Sequence, residues 1–380
     1  MKVIGIPLDA ALVEKLMAGL GFAYSRSGDD FVVTPPSHRF DIEIEEDLIE
    51  EIARLHGYDN IPSLPPQGRL AMLPIAESRR SPMQARRLIA ERGFHEVVNY
   101  SFVEAAWEAD FSGNAAPIVL ANPIASQMGV MRTSLIGGLV GTLVANRKRQ
   151  LERVRAFEIG RCFLRDTAAA QVPGFRQPLR LAAIGAGPVL TEQWGSATRK
   201  IDFFDLKGDL ESLCAPRRLR FEKTNHPALH PGRAAAVFLD ELAIGVVGEL
   251  HPLWVQKYEL GTAPVVFEIE IEALLTPPMP EYREVSRQPS VVRDIALVVP
   301  VAQALQPLLD ALRAAAPAIV RDIALFDVFQ GKGLPDGVRS LAFRIVMQDT
   351  ERTLADAEVD IAVARLVDTA KSGFGAALRN

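Results

Sequence analysis

Pro35-Pro-Ser-His-Arg-Phe-Asp-Ile-Glu-Ile-Glu-Glu-Asp-Leu-Ile-Glu-Glu-Ile-Ala-Arg-Leu-His-Gly-Tyr-Asp-Asn-Ile-Pro62 is the stretch that decides the reading of this 380-residue chain. Acidic side chains stand at 41, 43, 45, 46, 47, 50 and 51. Asp41-Ile42-Glu43-Ile44 alternates with period two and reads as a strand entering a turn. From Glu45 on, Leu48, Ile49, Ile52 and Leu55 recur at helical spacing, and Gly57 ends the helix. Asp47 and Glu51 are then four apart on one face, with Glu50 beside them. Like charges at that spacing oppose a helix by a few tenths of a kcal/mol per pair, so a nearby cation is expected. Two explanations stay open. Acids in a first turn complement the positive end of the helix dipole, which accounts for Glu45, Glu46 and Asp47. The dipole effect fades after one turn and accounts less well for Glu50 and Glu51, where oxygen ligands would suit magnesium or calcium.

The same stretch resembles the end of the B5 domain of the bacterial phenylalanyl-tRNA synthetase beta subunit, which shows Pro-Ser-x-Arg-x-Asp, a Glu-Asp-Leu-Ile-Glu-Glu helix and Gly-Tyr-x-x-Ile-Pro. The resemblance implies that Asp41, Asp47, Glu50 and Glu51 hold a magnesium ion near the catalytic alpha subunit. Two further segments resemble the same family. Met131-Arg-Thr-Ser-Leu-Ile-Gly-Gly-Leu139, with Arg155-Ala-Phe-Glu-Ile-Gly-Arg-Cys-Phe163, looks like its synthetase-like core. The run from Pro289-Ser-Val-Val-Arg-Asp-Ile-Ala-Leu297 to Arg379 looks like its anticodon-binding FDX-ACB domain.

An α+β multidomain chain follows as the expectation. It would have a winged-helix-like B5 module over 1–62, a degenerate class II synthetase-like antiparallel-sheet domain over 75–275, and a ferredoxin-like βαββαβ domain over 286–380. The resemblance implies a supporting role in charging tRNA(Phe) with phenylalanine, with ATP bound in the alpha subunit of a heterotetramer of two alpha and two beta chains. The rival reading is a freestanding, non-catalytic RNA-binding scaffold. Ile4 to Phe22 looks like the second half of the B5 entry helices, so a C-terminal piece opening inside that module, without the tRNA-binding OB and editing modules, is expected.

Charge distribution says more than the net charge of −5. Residues 1–62 carry 5 basic and 12 acidic side chains, hence −7, which leaves +2 for the remainder. That is a poor global footprint for a nucleic-acid binder, so any tRNA contact must use local basic patches. Two cysteines, Cys162 and Cys214, cannot build a disulfide framework and suggest a reducing compartment. Asp9 and Glu14 interrupt any signal-peptide core. The apolar run from Leu135 to Ala145 is too short to span a bilayer, so a cytoplasmic protein without membrane contact is expected.

Ser63 to Pro74 and Thr276 to Pro280 are proline-rich and read as linkers. Between them helices are predicted over 82–92, 134–150 and 205–213, with strands over 97–102, 154–163, 180–186, 234–239, 242–249 and 264–270. The last domain reads as strand 294–299, helix 305–316, strands 319–329 and 340–347, helix 354–372 and a short strand 376–379. Thr353-Leu-Ala-Asp356 resembles a capping box.

Other motifs carry less. His226-Pro-Ala-Leu-His230 has metal-pair spacing, but Pro227 and Pro231 oppose a helix there. The Gly137-Gly138-x-x-Gly141 cluster sits inside an apolar helical pattern, where small residues permit close packing. Phe157-Glu-Ile-Gly-Arg161 looks like the second class II signature without its ATP-gripping continuation, which implies a degenerate core kept for assembly. Arg147, Lys148, Arg149, Arg153 and Arg155 form the densest basic run and read as cations near a helix end, with contact to phosphate or an acidic partner as the alternative. In the last domain Arg293, Arg321, Lys332 and Arg344 are the RNA-binding candidates. Phe326, Phe329 and Phe343 interleave with them, as on a base-stacking sheet.

Overall fold

The acidic run from Glu45 does form a helix, Glu45–His56, and Gly57 ends it at φ 91°, a left-handed backbone that a glycine adopts without strain. This computed structural model describes all residues except 1, 2, 66, 67, 69–73, 75, 170, 283 and 380. The chain divides into two units, Met1–Pro74 and Ile75–Asn380. In the first, helix Ala10–Gly19 is capped by Asp9, whose carboxylate accepts from the Ala11 amide at 3.2 Å. An antiparallel hairpin, Ala23–Ser27 with Asp30–Thr34, turns at Gly28. Met17, Phe22, Ile52 and Ala53 are its buried apolar residues.

Residues 41–44 are not the expected strand; they form turns and bends leading into the helix. The Asp47 carboxylate explains the difference. It accepts from the Glu43 and Ile44 amides at 2.8 and 2.9 Å, bonds that a ladder would have used for a neighbouring strand.

The second unit is built on a seven-stranded sheet. Its spatial order is Leu219–Lys223, Leu229–Leu239, Leu242–Leu250, Val265–Glu270, Leu179–Ala186, Val154–Arg161 and His95–Glu96. Every pairing is antiparallel except the last, which is parallel and only two residues long. Alternation along one strand feeds two cores. Leu181 and Ala183 face the cluster under helices Pro82–Glu91 and Phe203–Cys214, while Ala182 and Ile184 face the cluster under helix Ile136–Lys148. The expected strand over 97–102 is broken into His95–Glu96 and Phe102–Val103, which belong to different sheets. Asn99 lies between them, donating to Glu158 and accepting from Thr142, which draws the backbone off the ladder.

The glycines inside helix Ile136–Lys148 are there for packing. A Cβ on Gly137 would lie 2.8 Å from the Trp107 ring, and one on Gly141 would lie 2.9 Å from it. Trp107 belongs to helix Ala105–Ser112, which the two glycines allow to approach.

The C-terminal part has the expected strand–helix–strand–strand–helix–strand order. It runs Val291–Pro300, Leu305–Ala315, Val320–Phe329, Val338–Met347, Asp356–Phe374 and Ala377–Leu378. The first strand sits between the third and the last, the ferredoxin-like arrangement. Both helices cover one sheet face through Leu308, Leu312, Val359 and Leu366. Thr353 is not the cap of the second helix. Ala355 holds that position, and Glu358 reaches back to its amide at 3.1 Å while also pairing with Arg352. The Thr353 hydroxyl instead bonds Gln288. The expected linker at 63–74 lies largely outside the described residues, and among those described no helix is long and apolar enough to cross a membrane.

Replacing Gly141 by Val should force Trp107 and helix Ala105–Ser112 apart. Overpacking of this kind costs about 1–3 kcal/mol. The expected outcome is a thermal midpoint several degrees lower with the circular dichroism spectrum otherwise preserved.

Candidate functional site

Within the first unit three of the four expected ligands, Asp41, Asp47 and Glu51, are already engaged. Arg39 is a fork: its Nε donates to Asp41 Oδ1 at 3.0 Å, and its Nη2 donates to Asp41 Oδ2 at 2.7 Å and to Glu51 Oε1 at 2.8 Å. Arg54 donates to the other Glu51 oxygen at 2.5 Å. Asp47 is spent on the backbone amides at the helix start, and Glu50 is exposed. The Arg39 side chain holds the Asp41 carboxyl below the usual range, the Ile44 and Glu43 amides do the same for Asp47, and Arg54 with Arg39 does so for Glu51.

Asp41, Asp47, Glu50 and Glu51 therefore do not converge on a common point. Among the described residues no group of three or more His, Cys, Asp or Glu could hold a metal. The four-carboxylate magnesium set does not fit this arrangement, because a guanidinium stands between Asp41 and Glu51 and the helix start uses Asp47.

The RNA-binding candidates separate as well. Ile295, Leu297 and Val299 point to the helices, so Arg293, in phase with them, turns the same way, toward Asp356 at 3.7 Å. Arg321 falls in a bulge and donates to the Gln348 carbonyl. Lys332 is exposed in the loop joining the central strands. Only Arg344 stands on the open face of the sheet, directly opposite Asp294, and its guanidinium grips both carboxylate oxygens at 2.9 and 2.8 Å.

Two aromatic–cation pairs stand on that face, and of their members only Arg379 was missed by sequence reasoning. A second bulge, between Leu325 and Asp327, turns Phe326 outward, and Arg344 lies 4.8 Å above its ring. Phe329 opposes Ser340 on the same face, and the Arg379 guanidinium lies 5.0 Å from its ring. Phe326 and Phe329 are 50% and 37% exposed, whereas Phe343 is wholly buried, so only the first two can meet a ligand.

In the core the segment Met131 to Leu139 is a buried polar hub. Arg132 pairs with Glu158 at 2.6 Å and also donates to the Arg161 carbonyl. Glu268 accepts from the Leu135 amide, the Ser134 hydroxyl and Arg180. Glu108 accepts from the Thr133 amide and hydroxyl. Glu158, within the Phe157 to Arg161 segment that resembles a class II signature, is thus held by Arg132 and Asn99.

The basic run also divides. Arg149 donates to the Ala145 carbonyl at the helix end, Arg147 bonds Thr262, Arg153 bonds the Val189 carbonyl, and Arg155 is buried against Asp209. His226 and His230 each accept a backbone amide two residues ahead and shape turns. Cys162 and Cys214 are unbridged and buried, and burial pushes the Cys214 thiol up to about 12.

The profile described as the phenylalanyl tRNA synthetase beta chain CLM domain matches residues 61–271. The chain belongs to this beta-chain family. Profiles for a ferredoxin-fold anticodon binding domain and for a tRNA synthetase B5 domain match residues 286–379 and 1–58. Curated beta-chain relatives named phenylalanine–tRNA ligase beta subunit include one from Aromatoleum aromaticum, 58% identical over the whole of this chain and 48% of its own length. Others come from Dechloromonas aromatica, at 56% over 99% of this chain and 48% of the relative, and Ralstonia nicotianae, at 50% over 100% and 48%. The chain spans about half the length of the curated relatives it matches. A solved pyrrolysyl-tRNA synthetase from Desulfitobacterium hafniense overlaps 70% of this chain and 88% of its own at TM-score 0.38 and 14% identity, a likeness too remote to bear on the fold.

The lowered carboxyls of the first unit set its response to acid. Unfolded, Asp and Glu titrate at about 3.9 and 4.3. Folded, Asp41, Asp47 and Glu51 titrate lower, so their contribution is complete above that range and is lost as the pH falls through the lowered values. A carboxyl NMR titration should place all three midpoints below the ordinary ones. Midpoints at the ordinary values would contradict these contacts.

Proposed function

We propose that this chain is part of the beta subunit of a phenylalanine–tRNA ligase and supports ATP-dependent charging of tRNA(Phe) without performing the chemistry. The observation that carries the reading is the open sheet face at residues 286–379, where two exposed phenylalanines each lie beside an arginine on a ferredoxin-fold anticodon-binding match. Bases of a single-stranded loop stack on such aromatic and guanidinium planes, and the arginines also meet phosphate. Arg344, Arg379, Phe326 and Phe329 are the first-choice contacts, with Lys332 reaching from the loop. Arg293 and Arg321 are secondary, since each is turned or bonded elsewhere.

The remaining parts of the reading fit this role. The three-domain division at 1–62, 75–275 and 286–380, a winged-helix-like first module, and a degenerate class II synthetase-like core belong to the same proposal. So do an alpha-subunit partner in a heterotetramer and a cytoplasmic location. Core charges that could grip a triphosphate are internally paired, as in Arg132–Glu158 and Arg180–Glu268. The freestanding scaffold is the weaker reading, because relatives up to 58% identical across the full chain carry the beta-subunit name.

Two measurements test it. The chain alone should give no ATP–pyrophosphate exchange above background, and adding a catalytic alpha subunit should give a stable complex; exchange by the pure chain, or failure to associate, would count against the proposal. In anticodon stem-loop titrations each neutralised phosphate contributes roughly −0.7 to the log–log salt slope. The slope should therefore be shallow, about −1 to −2, and Arg344→Ala with Phe326→Ala should weaken binding more than Arg293→Ala with Arg321→Ala. The reverse order would remove the open face as the reading surface.

A further inference from the structure

The acidic segment was expected to need a cation, and the structure supplies one from its own chain. Arg39 reaches both Asp41 oxygens and one oxygen of Glu51, residues that bracket the start of helix Glu45–His56. A planar fork suits this task, since two parallel N–H bonds fix its orientation as well as its position. Its guanidinium also lies 5.5 Å from the ring of Phe22, which is 4% exposed and belongs to the core of this unit. The cation is thus anchored from below by an aromatic face and from the sides by two carboxylates. Arg54 completes the arrangement on the outer Glu51 oxygen.

We propose that Arg39 is the resident cation of this acidic segment, so that the chain closes the cluster and holds the helix start without a divalent metal. A divalent ion at this point would have to displace the guanidinium from both carboxylates and from the Phe22 ring. The role is one of positioning: Arg39 fixes Asp41 and Glu51, which leaves Asp47 free to cap the Glu43 and Ile44 amides.

The test is hydrogen exchange by mass spectrometry on the 380-residue chain, followed in peptides covering residues 39–56. It is run in chelator and in millimolar MgCl2 at matched ionic strength. Wild-type protection should be the same in both. Arg39→Gln should exchange about threefold faster or more in chelator, the size expected for losing a partly exposed, multiply bonded charge pair. Magnesium should restore part of that loss, because Asp41 and Glu51 are then left without a shared cation. Arg39→Lys, which keeps the charge but not the fork, should fall between the two and ignore magnesium. Wild-type protection that disappears in chelator would overturn the proposal. So would an Arg39→Gln variant as protected as wild type. A loss equal with and without magnesium would mean that Arg39 acts through packing on Phe22 and not through its charge, and would overturn it too.

Discussion

Buried carboxylates around residues 131–135 are the constraint on which the larger unit depends. Glu158, Glu268 and Glu108 are almost wholly hidden from water. Each is compensated by an arginine, a backbone amide or a hydroxyl from the same short segment. Taking such groups out of water is costly, and the cost is recovered only while every partner stays in place. The segment therefore cannot shift without stranding a charge. That fixes the start of helix Ile136–Lys148 against strands Val154–Arg161, Leu179–Ala186 and Val265–Glu270 at once. The same contacts occupy the helix start, where the Leu135 amide donates to Glu268 and the Ile136 amide to the Ser134 hydroxyl.

The same accounting distinguishes the two candidate regions. In the N-terminal unit the charges are turned inward onto one another, Arg39 with Asp41 and Glu51, and Asp47 with the backbone. On the open C-terminal sheet the phenylalanine rings keep one face toward solvent, and Arg344 is oriented by Asp294 without being hidden. Pre-orientation of that kind lowers the entropy lost when a ligand stacks. What separates the inward cluster from the proposed recognition surface is which groups stay open to solvent, and charge count alone does not reveal it.

Periodicity made most elements legible. Leu48, Ile49, Ile52 and Leu55 announced their helix, and the alternating strands of the last domain announced the ferredoxin-like order. Failures had local causes. Asp41 to Ile44 looked like a strand, but a carboxylate six residues downstream of Asp41 took two of the segment's amides. Thr353 had the right type for a cap, yet the helix began three residues later, where Glu358 could reach Ala355. Helix Ala105–Ser112 gave no amphipathic signal because Glu108 and Asp110 are buried together with Phe111. Two bulges in Val320–Phe329 shifted the facing of Arg321 and Phe326, which strict alternation could not foresee.

The seven-stranded sheet ends at one side in the two-residue strand His95–Glu96 and at the other in Leu219–Lys223, which carries Arg220, Glu222 and Lys223 and lies beside helix Leu305–Ala315. Open strand edges are templates on which a second chain can add hydrogen bonds. One margin here is too brief to seed such growth, and the other is charged and lies against a helix. Within this sheet, then, neither margin gives a second copy a long apolar ribbon to extend, whereas the last domain leaves the ten-residue strand Val320–Phe329 as an open edge.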